Sequence, residues 1–421
     1  MANWYKLDNA AKIFPAIYKK SDTNSFRLSA VFNDNIENSL LKEALELSLK
    51  RFPMFRVKIK RGMFWYYFDQ NNNKPIILEE NCLVNDSVRI RRNNGFMFSL
   101  SYYEKRLSLE IFHALTDGTG GLEFFKCICY NYLLLKGVKI NNNGEIITAE
   151  YERNLLEAED SFNINYDKNK KINAKEEKAY QLKGTLYDDN WCGLIHGFMD
   201  LDEVKSLAKK YDCTITQYIT ALMLYSIYIN FYSRNKQKGK VRIFIPVNAR
   251  KYFSSVSMRN FALFLRTSVD YKNGATIIDC IRYVKESYEK DLTKEALEAK
   301  LCANVYFEKS ILVRILPLFI KKIGMKIGFK ILGSNANTIT YSNLGEVKIP
   351  NEMKEYIKQF EFSVSAVKRT PINVTSLSYN NKFSLSFITK MVEKGFIKTI
   401  FEELAREGIK CVIETNDLEV E

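Results

Sequence analysis

Ile111-Phe112-His113-Ala114-Leu115-Thr116-Asp117-Gly118-Thr119-Gly120-Gly121 is the stretch on which the fold turns. It closes an alternating run. Side chains of a strand point alternately to opposite sides, so Leu107, Leu109, Ile111 and His113 share one face and Ser108, Glu110 and Phe112 the other. Residues 96–102 read as the partner arm of a hairpin, with Glu104-Lys105-Arg106 as its turn. His113 therefore stands at the end of an inward, apolar face. Gly118, Gly120 and Gly121 are expected to let the backbone turn sharply, and an apolar-rich helix follows over 122–135. The chain has only 2 histidines. Imidazole titrates near neutrality, and one held at a fixed angle beside a substrate is a natural general base. On these residues alone His113 is either that base or a satisfied structural histidine.

Outward from this stretch, strands and helices alternate through both halves. Residues 26–32 alternate as a strand. Residues 38–50 carry Leu41, Ala44, Leu45 and Leu47 near helical spacing and stop before Pro53. Residues 55–59 and 63–68 read as two more strands around Arg61-Gly62. Residues 141–184 are charged and Asn-rich and read as a linker, in which Glu157, Glu159, Asp160 and the cluster Lys168-Asn-Lys-Lys171 are expected to be solvated. Beyond it, strands are expected at 193–199, 241–247, 263–269, 338–342, 360–367 and 383–389. Helices are expected at 202–210, at 215–231 behind a Thr214 cap, at 277–300 and at 394–407. His196 lies on the first of these strands and reads as structural. Each half mixes both element types, so the class is α/β or α+β, with two layers per half and lobes at 1–175 and 185–421.

The bulk composition bounds what such a chain does. At 421 residues, two domains of about 200 residues are the default. A net charge of +14 attracts anions, whether nucleic acid, anionic membrane or phosphate-bearing cofactors. The charge is spread along the chain, with no recognition helix, zinc spacing or RNP-type motif, so nucleic acid is not expected. The 8 cysteines form no Cys-x-x-Cys pair, and with so few histidines no metal site is expected. Met1-Ala-Asn-Trp-Tyr-Lys6 lacks the apolar core of a signal peptide, so reduced thiols in the cytoplasm are expected. No apolar run is long enough to span a membrane. The nearest, 311–332, is broken by Arg314, Lys321, Lys322, Lys326 and Lys330. It reads as amphipathic helix, packed on the domain with its lysines outward, with a weak membrane-surface patch as the other reading.

Phe112-His113-Ala-Leu-Thr-Asp117-Gly118 resembles the His-His-x-x-x-Asp-Gly signature of the chloramphenicol acetyltransferase-like superfamily, which includes nonribosomal peptide condensation domains and bacterial alcohol O-acyltransferases. Leu49-Lys-Arg-Phe-Pro53 is similar to the end of that group's first helix. Ile245-Pro-Val-Asn-Ala-Arg250 is similar to its Val-Asn-x-Arg strand end, Arg259-Asn260 to the Gly-Asn step after it, and Tyr341-Ser-Asn-Leu-Gly345 to a late Asn-x-Gly turn. The order holds over nearly the whole chain. Phe112 replaces the first histidine, and by strand parity that position faces away from His113. The Asp-Phe-Gly-Trp-Gly box of the plant BAHD branch is absent.

The resemblance implies two lobes, each a mixed sheet flanked by helices, with a channel between them and His113 midway along it. It implies acyl transfer from a thioester to an alcohol or amine, with His113 as general base. Asp117 is then paired with an arginine, for which Arg250 is the choice, and Gly118 permits the tight backbone path. Ser342 and Asn343 are candidates to stabilise the oxyanion, while for Asn343 plain turn chemistry is the equal alternative. The implied donor is acyl-coenzyme A, with phosphopantetheine on an acyl carrier protein as runner-up, and the acceptor is a small molecule. The alternative function is a non-catalytic or carrier-dependent condensation-like protein that binds acyl-phosphopantetheine ligands.

Overall fold

Two mixed sheets organise the chain, each against its own apolar core. The computed structural model describes residues 4–19, 23–80, 84, 88, 90, 92–152, 154–170, 177–188, 191–234, 239–271 and 274–416. Met1, Ala2, Asn3 and Lys171, named above, lie outside them.

The first sheet has five strands, in the order Ile357–Val364, Ser25–Phe32, Arg106–Phe112, Phe98–Tyr103 and Ile77–Glu79. Three pairings are antiparallel and the last is parallel. Phe26, Leu28, Ala30 and Phe32 enter the core from one face of their strand. The opposite face is buried as well, so its polar groups need partners. Arg27 meets Glu110 at 3.2 Å and Ser108 at 2.7 Å, and pairs with Glu80. Helices Asn38–Arg51 and Gly118–Leu135 pack on one another above this core. Leu41, Ala44, Leu45 and Leu49 fill the seam, while Leu47 is only half-buried.

The second sheet has seven strands, in the order Ala262–Val269, Val241–Asn248, Ile339–Glu346, Ile372–Tyr379, Lys382–Thr389, Gly193–Asp200 and Val412–Thr415. Two of its pairings are parallel, those flanking Ile339–Glu346. Helix Ile215–Ile227 begins in a capping box made by Thr214 and Gln217 and packs against helix Ile277–Asp291. His196 is buried on this sheet, 2.7 Å from Ser386 Oγ through Nδ1 and 3.8 Å from Glu361 through Nε2. Burial pushes its pKa down, against the pull of Glu361.

One strand ties the halves together. Ile357–Val364 belongs by sequence to 185–421, yet it pairs with Ser25–Phe32, with Phe362 opposite Leu28 and Phe360 opposite Ala30. Val347, Ile349 and Met353, just ahead of it, are also buried in the first core. It lies against Ile372–Tyr379 of the second sheet as well.

Two expectations are corrected. The 141–184 segment is not a solvated linker throughout. Glu157 is buried and takes two 2.8 Å bonds from Arg51, which carries the segment into the first core. Glu159 accepts from Ser161 Oγ at 2.9 Å, and Asp160 caps helix Ser161–Ile164. The 311–332 segment folds as helices Ile311–Ile315 and Leu318–Gly328, followed by a π-turn at Phe329–Gly333. Its lysines do not all face out, nor its apolar side chains in. Lys321 is buried, donates to the carbonyls of Phe64 (3.1 Å) and Arg314 (3.0 Å), and lies 3.9 Å over the Trp65 ring. Two carbonyls and an aromatic face compensate the desolvated ammonium, and the helix rotates its isoleucines outward instead. No helix among the described residues is long and apolar enough to cross a membrane.

Candidate active site

His113 follows directly on strand Arg106–Phe112, and its N–H donates to the Asn24 carbonyl at 3.0 Å. The ring is half-buried. Phe14 stacks on it, with centroids 4.7 Å apart and planes 9° from parallel, and Phe26 meets it edge-on at 5.2 Å. Two aromatic walls fix the ring plane. Along the ring edge, Nδ1 lies 3.2 Å from Asn260 Oδ1. Asn260 is buried, and its Nδ2 donates to Asp8 Oδ2 at 3.3 Å. Asp8 Oδ1 accepts from Ala11 N at 2.7 Å, in the first turn of the short 3-10 helix Ala10–Ile13.

This relay assigns the tautomer. Asp8 accepts from the amide nitrogen of Asn260, so the amide oxygen faces His113. Nδ1 must then carry the proton and donate. Nε2 is left with its lone pair. Burial holds the His113 pKa below its ordinary 6.5, against the opposing pulls of Asp117, Asn260 and the backbone of His113 and Thr116, so the ring is neutral at pH 7. Burial also raises Asp8, to about 7, against the Arg259 charge that would lower it.

Asp117 makes no hydrogen bond to the imidazole among the described residues. It is the N-cap of helix Gly118–Leu135 and accepts from Gly120 N at 3.1 Å. Arg250 grips it with two bonds, Nη1–Oδ2 at 2.9 Å and Nη2–Oδ1 at 3.2 Å, and Phe261 N adds a third donor at 2.8 Å. Arg250 sits just past strand Val241–Asn248 and also donates from Nε to the Ser257 carbonyl at 2.7 Å. The pair thus joins the His113 loop to the end of the second sheet.

The glycines serve a different purpose from the expected sharp turn. Gly118, Gly120 and Gly121 lie in the first turn of the helix, and none has a positive φ. They make room. A Cβ on Gly120 would stand 2.2 Å from the Met258 carbonyl oxygen and 2.3 Å from Thr116 Oγ1. On Gly118 it would stand 2.6 Å from Leu344, so the late turn packs against the motif. In that turn Gly345 has φ +78°, and Asn343 accepts from Gly345 N at 2.8 Å while donating to Thr216 Oγ1 at 2.9 Å. Both ends of the Asn343 amide are thus occupied. Ser342 is half-buried beside it on Ile339–Glu346. Neither residue is hydrogen-bonded to His113 among the described residues.

Asp8 and Phe14 had no signal that pointed to His113. Asp8 is readable as a turn residue three positions ahead of Ala11, and Phe14 as one more aromatic. Asn260 was visible only as half of the Arg259-Asn260 step. Among the described residues no group of three His, Cys, Asp or Glu is placed to hold a metal ion.

The sequence profile of the alcohol acetyltransferase family matches residues 155–395. The chain belongs to that family. The match begins after the His113 stretch. No curated protein sequence matches the chain. Among solved structures, the chain is similar to TRI3 trichothecene 15-O-acetyltransferase from Fusarium sporotrichioides, at 12% identity and TM-score 0.61 over 96% of this chain and 95% of that one. It is similar at 10% identity and TM-score 0.61 to the starter condensation domain of rhizomide synthetase RzmA in complex with C8-CoA, over 96% and 94%. It is also similar at 10% identity and TM-score 0.59 to F. graminearum TRI101 complexed with coenzyme A and T-2 mycotoxin, over 96% and 97%. At these identities the likeness concerns the fold: this alcohol acetyltransferase family member has the two-lobed architecture of chloramphenicol acetyltransferase-like acyltransferases and condensation domains.

Proposed function

We propose that the protein transfers an acyl group from acyl-coenzyme A to the hydroxyl of a small-molecule acceptor, with His113 as general base. The observation that carries this reading is the Asp8–Asn260–His113 relay, which leaves Nε2 as the ring's lone-pair nitrogen. The acceptor O–H gives its proton to Nε2 as its oxygen bonds to the thioester carbonyl carbon. The tetrahedral intermediate carries its charge on the former carbonyl oxygen. It collapses by breaking the C–S bond, and the departing thiolate takes the proton back from the imidazolium. Two hydrogen-bonded networks hold the base: Asn260 sets the tautomer, and the Asp117–Arg250 pair fixes the loop. Of the two oxyanion candidates Ser342 is preferred, because the Asn343 amide is already engaged at both ends.

The donor assignment draws on the coenzyme A and C8-CoA named for TRI101 and RzmA, and on a basic chain suited to phosphates. An alcohol acceptor is favoured over an amine by the family. Purified protein given acyl-coenzyme A and a panel of alcohols and amines is expected to release free thiol with alcohols. His113→Ala is expected to lower that rate at least about a hundredfold. An undiminished rate in the variant overturns the mechanism. Faster turnover of a carrier-bound phosphopantetheine thioester than of the coenzyme A thioester overturns the donor.

A further inference from the structure

The outward face of 311–332 belongs to neither core. Ile311 and Leu312 are each 74% exposed, Phe319 59%, Ile323 60% and Ile327 54%. Phe319, Ile323 and Ile327 are four residues apart and line one side of helix Leu318–Gly328. Single exposed apolar residues need no explanation, but a continuous row marks an interaction surface. The row continues onto the tip of the hairpin formed by antiparallel strands Val57–Arg61 and Tyr66–Gln70, where Met63 is 73% exposed and its carbonyl accepts from Leu318 N at 2.9 Å.

The charge along this stretch of chain has a single sign. From residue 309 to residue 345 the chain holds 6 basic residues and no acidic one. Lys321 is spent inward, while Arg314, Lys326 and Lys330 are exposed and Lys322 is half-buried. A protein partner's apolar patch needs no such field. A surface that is apolar at the centre, basic at the flanks and too short to cross a bilayer matches an anionic membrane interface, where isoleucine and phenylalanine enter the acyl boundary and lysines meet headgroups.

We propose that helices Ile311–Ile315 and Leu318–Gly328, with the Met63 hairpin tip, dock the protein onto an anionic lipid surface. The seat is continuous with the site: helix Leu318–Gly328 packs against helix Phe14–Ile17, whose Phe14 covers the His113 ring. The docking proposal does not depend on the reaction proposed above.

Flotation of the full chain with vesicles tests it. One set is phosphatidylcholine alone, and the other contains about a third phosphatidylserine. The protein is expected to float with the second set and far less with the first. Phe319→Glu with Ile323→Glu is expected to lower binding at least about tenfold. Lys322, Lys326 and Lys330 each changed to Gln, together, is expected to lower partitioning onto the anionic set about a hundredfold, from about fivefold per lysine. All five positions lie outside the cores, and near-ultraviolet circular dichroism checks the fold. If the glutamate variant fails that check, the lysine variant decides alone. Wild-type protein that stays unbound on both sets overturns the proposal, as does full binding by a folded variant. A dimer by light scattering that the glutamate variant splits, with no vesicle binding, assigns the face to a second copy and also overturns it.

Discussion

Asp117 and Asp8 stand on two sides of the same histidine under opposite conditions. Asp117 receives two bonds from Arg250 and two from backbone N–H groups. Asp8 is fully buried, receives one backbone N–H and one amide N–H, and faces Arg259 only as a nearby charge. The first carboxylate is held by four hydrogen bonds and ties the His113 loop to the end of the second sheet. The second titrates near neutrality, and its value to the site is the direction of its hydrogen bond. A charge that is fully met holds position, and one that is barely met holds orientation.

The largest effect that could break this contrast is on stability. Arg250→Met leaves Asp117 buried without its cation and is expected to cost about 3–5 kcal/mol, read as a lower urea midpoint. A loss under about 1 kcal/mol, in the range of an exposed pair, would make Asp117 no better anchored than Asp8.

Next comes a pH effect. Asp8 has its folded pKa raised to about 7 from 3.8, so the folded state binds the extra proton between those values. Wild-type stability relative to Asp8→Asn should therefore be greatest near pH 4 and fall as pH rises to about 7, by at most about 4 kcal/mol. His113 works with the opposite sign, since its folded pKa is lowered. Its contribution is present above the unfolded value of 6.5 and is lost as pH falls. Urea titrations at pH 5 and pH 8 separate the two. A wild-type-to-variant difference that does not change with pH would remove the titrating carboxylate from the comparison.

The smallest expected effect sharpens the relay. Asn260→Ala releases Nδ1, and kcat is expected to fall about tenfold to a hundredfold with KM within about twofold. Because the Asn260 bond raises the His113 pKa, its loss should also move the acid limb of the pH–rate profile lower. A purely structural asparagine would lower stability and leave that limb in place.

The first sheet was readable because one face of Ser25–Phe32 and of Arg106–Phe112 carries apolar side chains to a core while the other is polar. Ile372–Tyr379 was not readable. It is central in the second sheet and buried on both faces, and it carries Asn373, Thr375, Ser376 and Ser378, of which the first three bond to neighbouring groups. Tyr341 Oη meets Ser376 at 2.9 Å, and Asn373 donates to the Ser365 carbonyl at 2.6 Å. Such a strand looks polar in one dimension and is solvent-free in three. In the site, His113, Asp117 and Arg250 could be named because the resemblance fixes them within two short motifs. Asp8 could not, since its spacing concerns only Ala11 and its link to His113 exists only through Asn260. At 311–332 the helices were legible but not which of their side chains are buried, because no periodicity reveals that Lys321 finds two carbonyls and an indole.

The strand that crosses between lobes also sets a schedule for synthesis. Ser25–Phe32 emerges from the ribosome early, but the neighbour that closes its edge, Ile357–Val364, is made only near the end. At about 5–20 residues per second, that edge waits tens of seconds for its partner. Through that interval the border of Ser25–Phe32 has no native neighbour on that side, the kind of open edge on which other chains can pair.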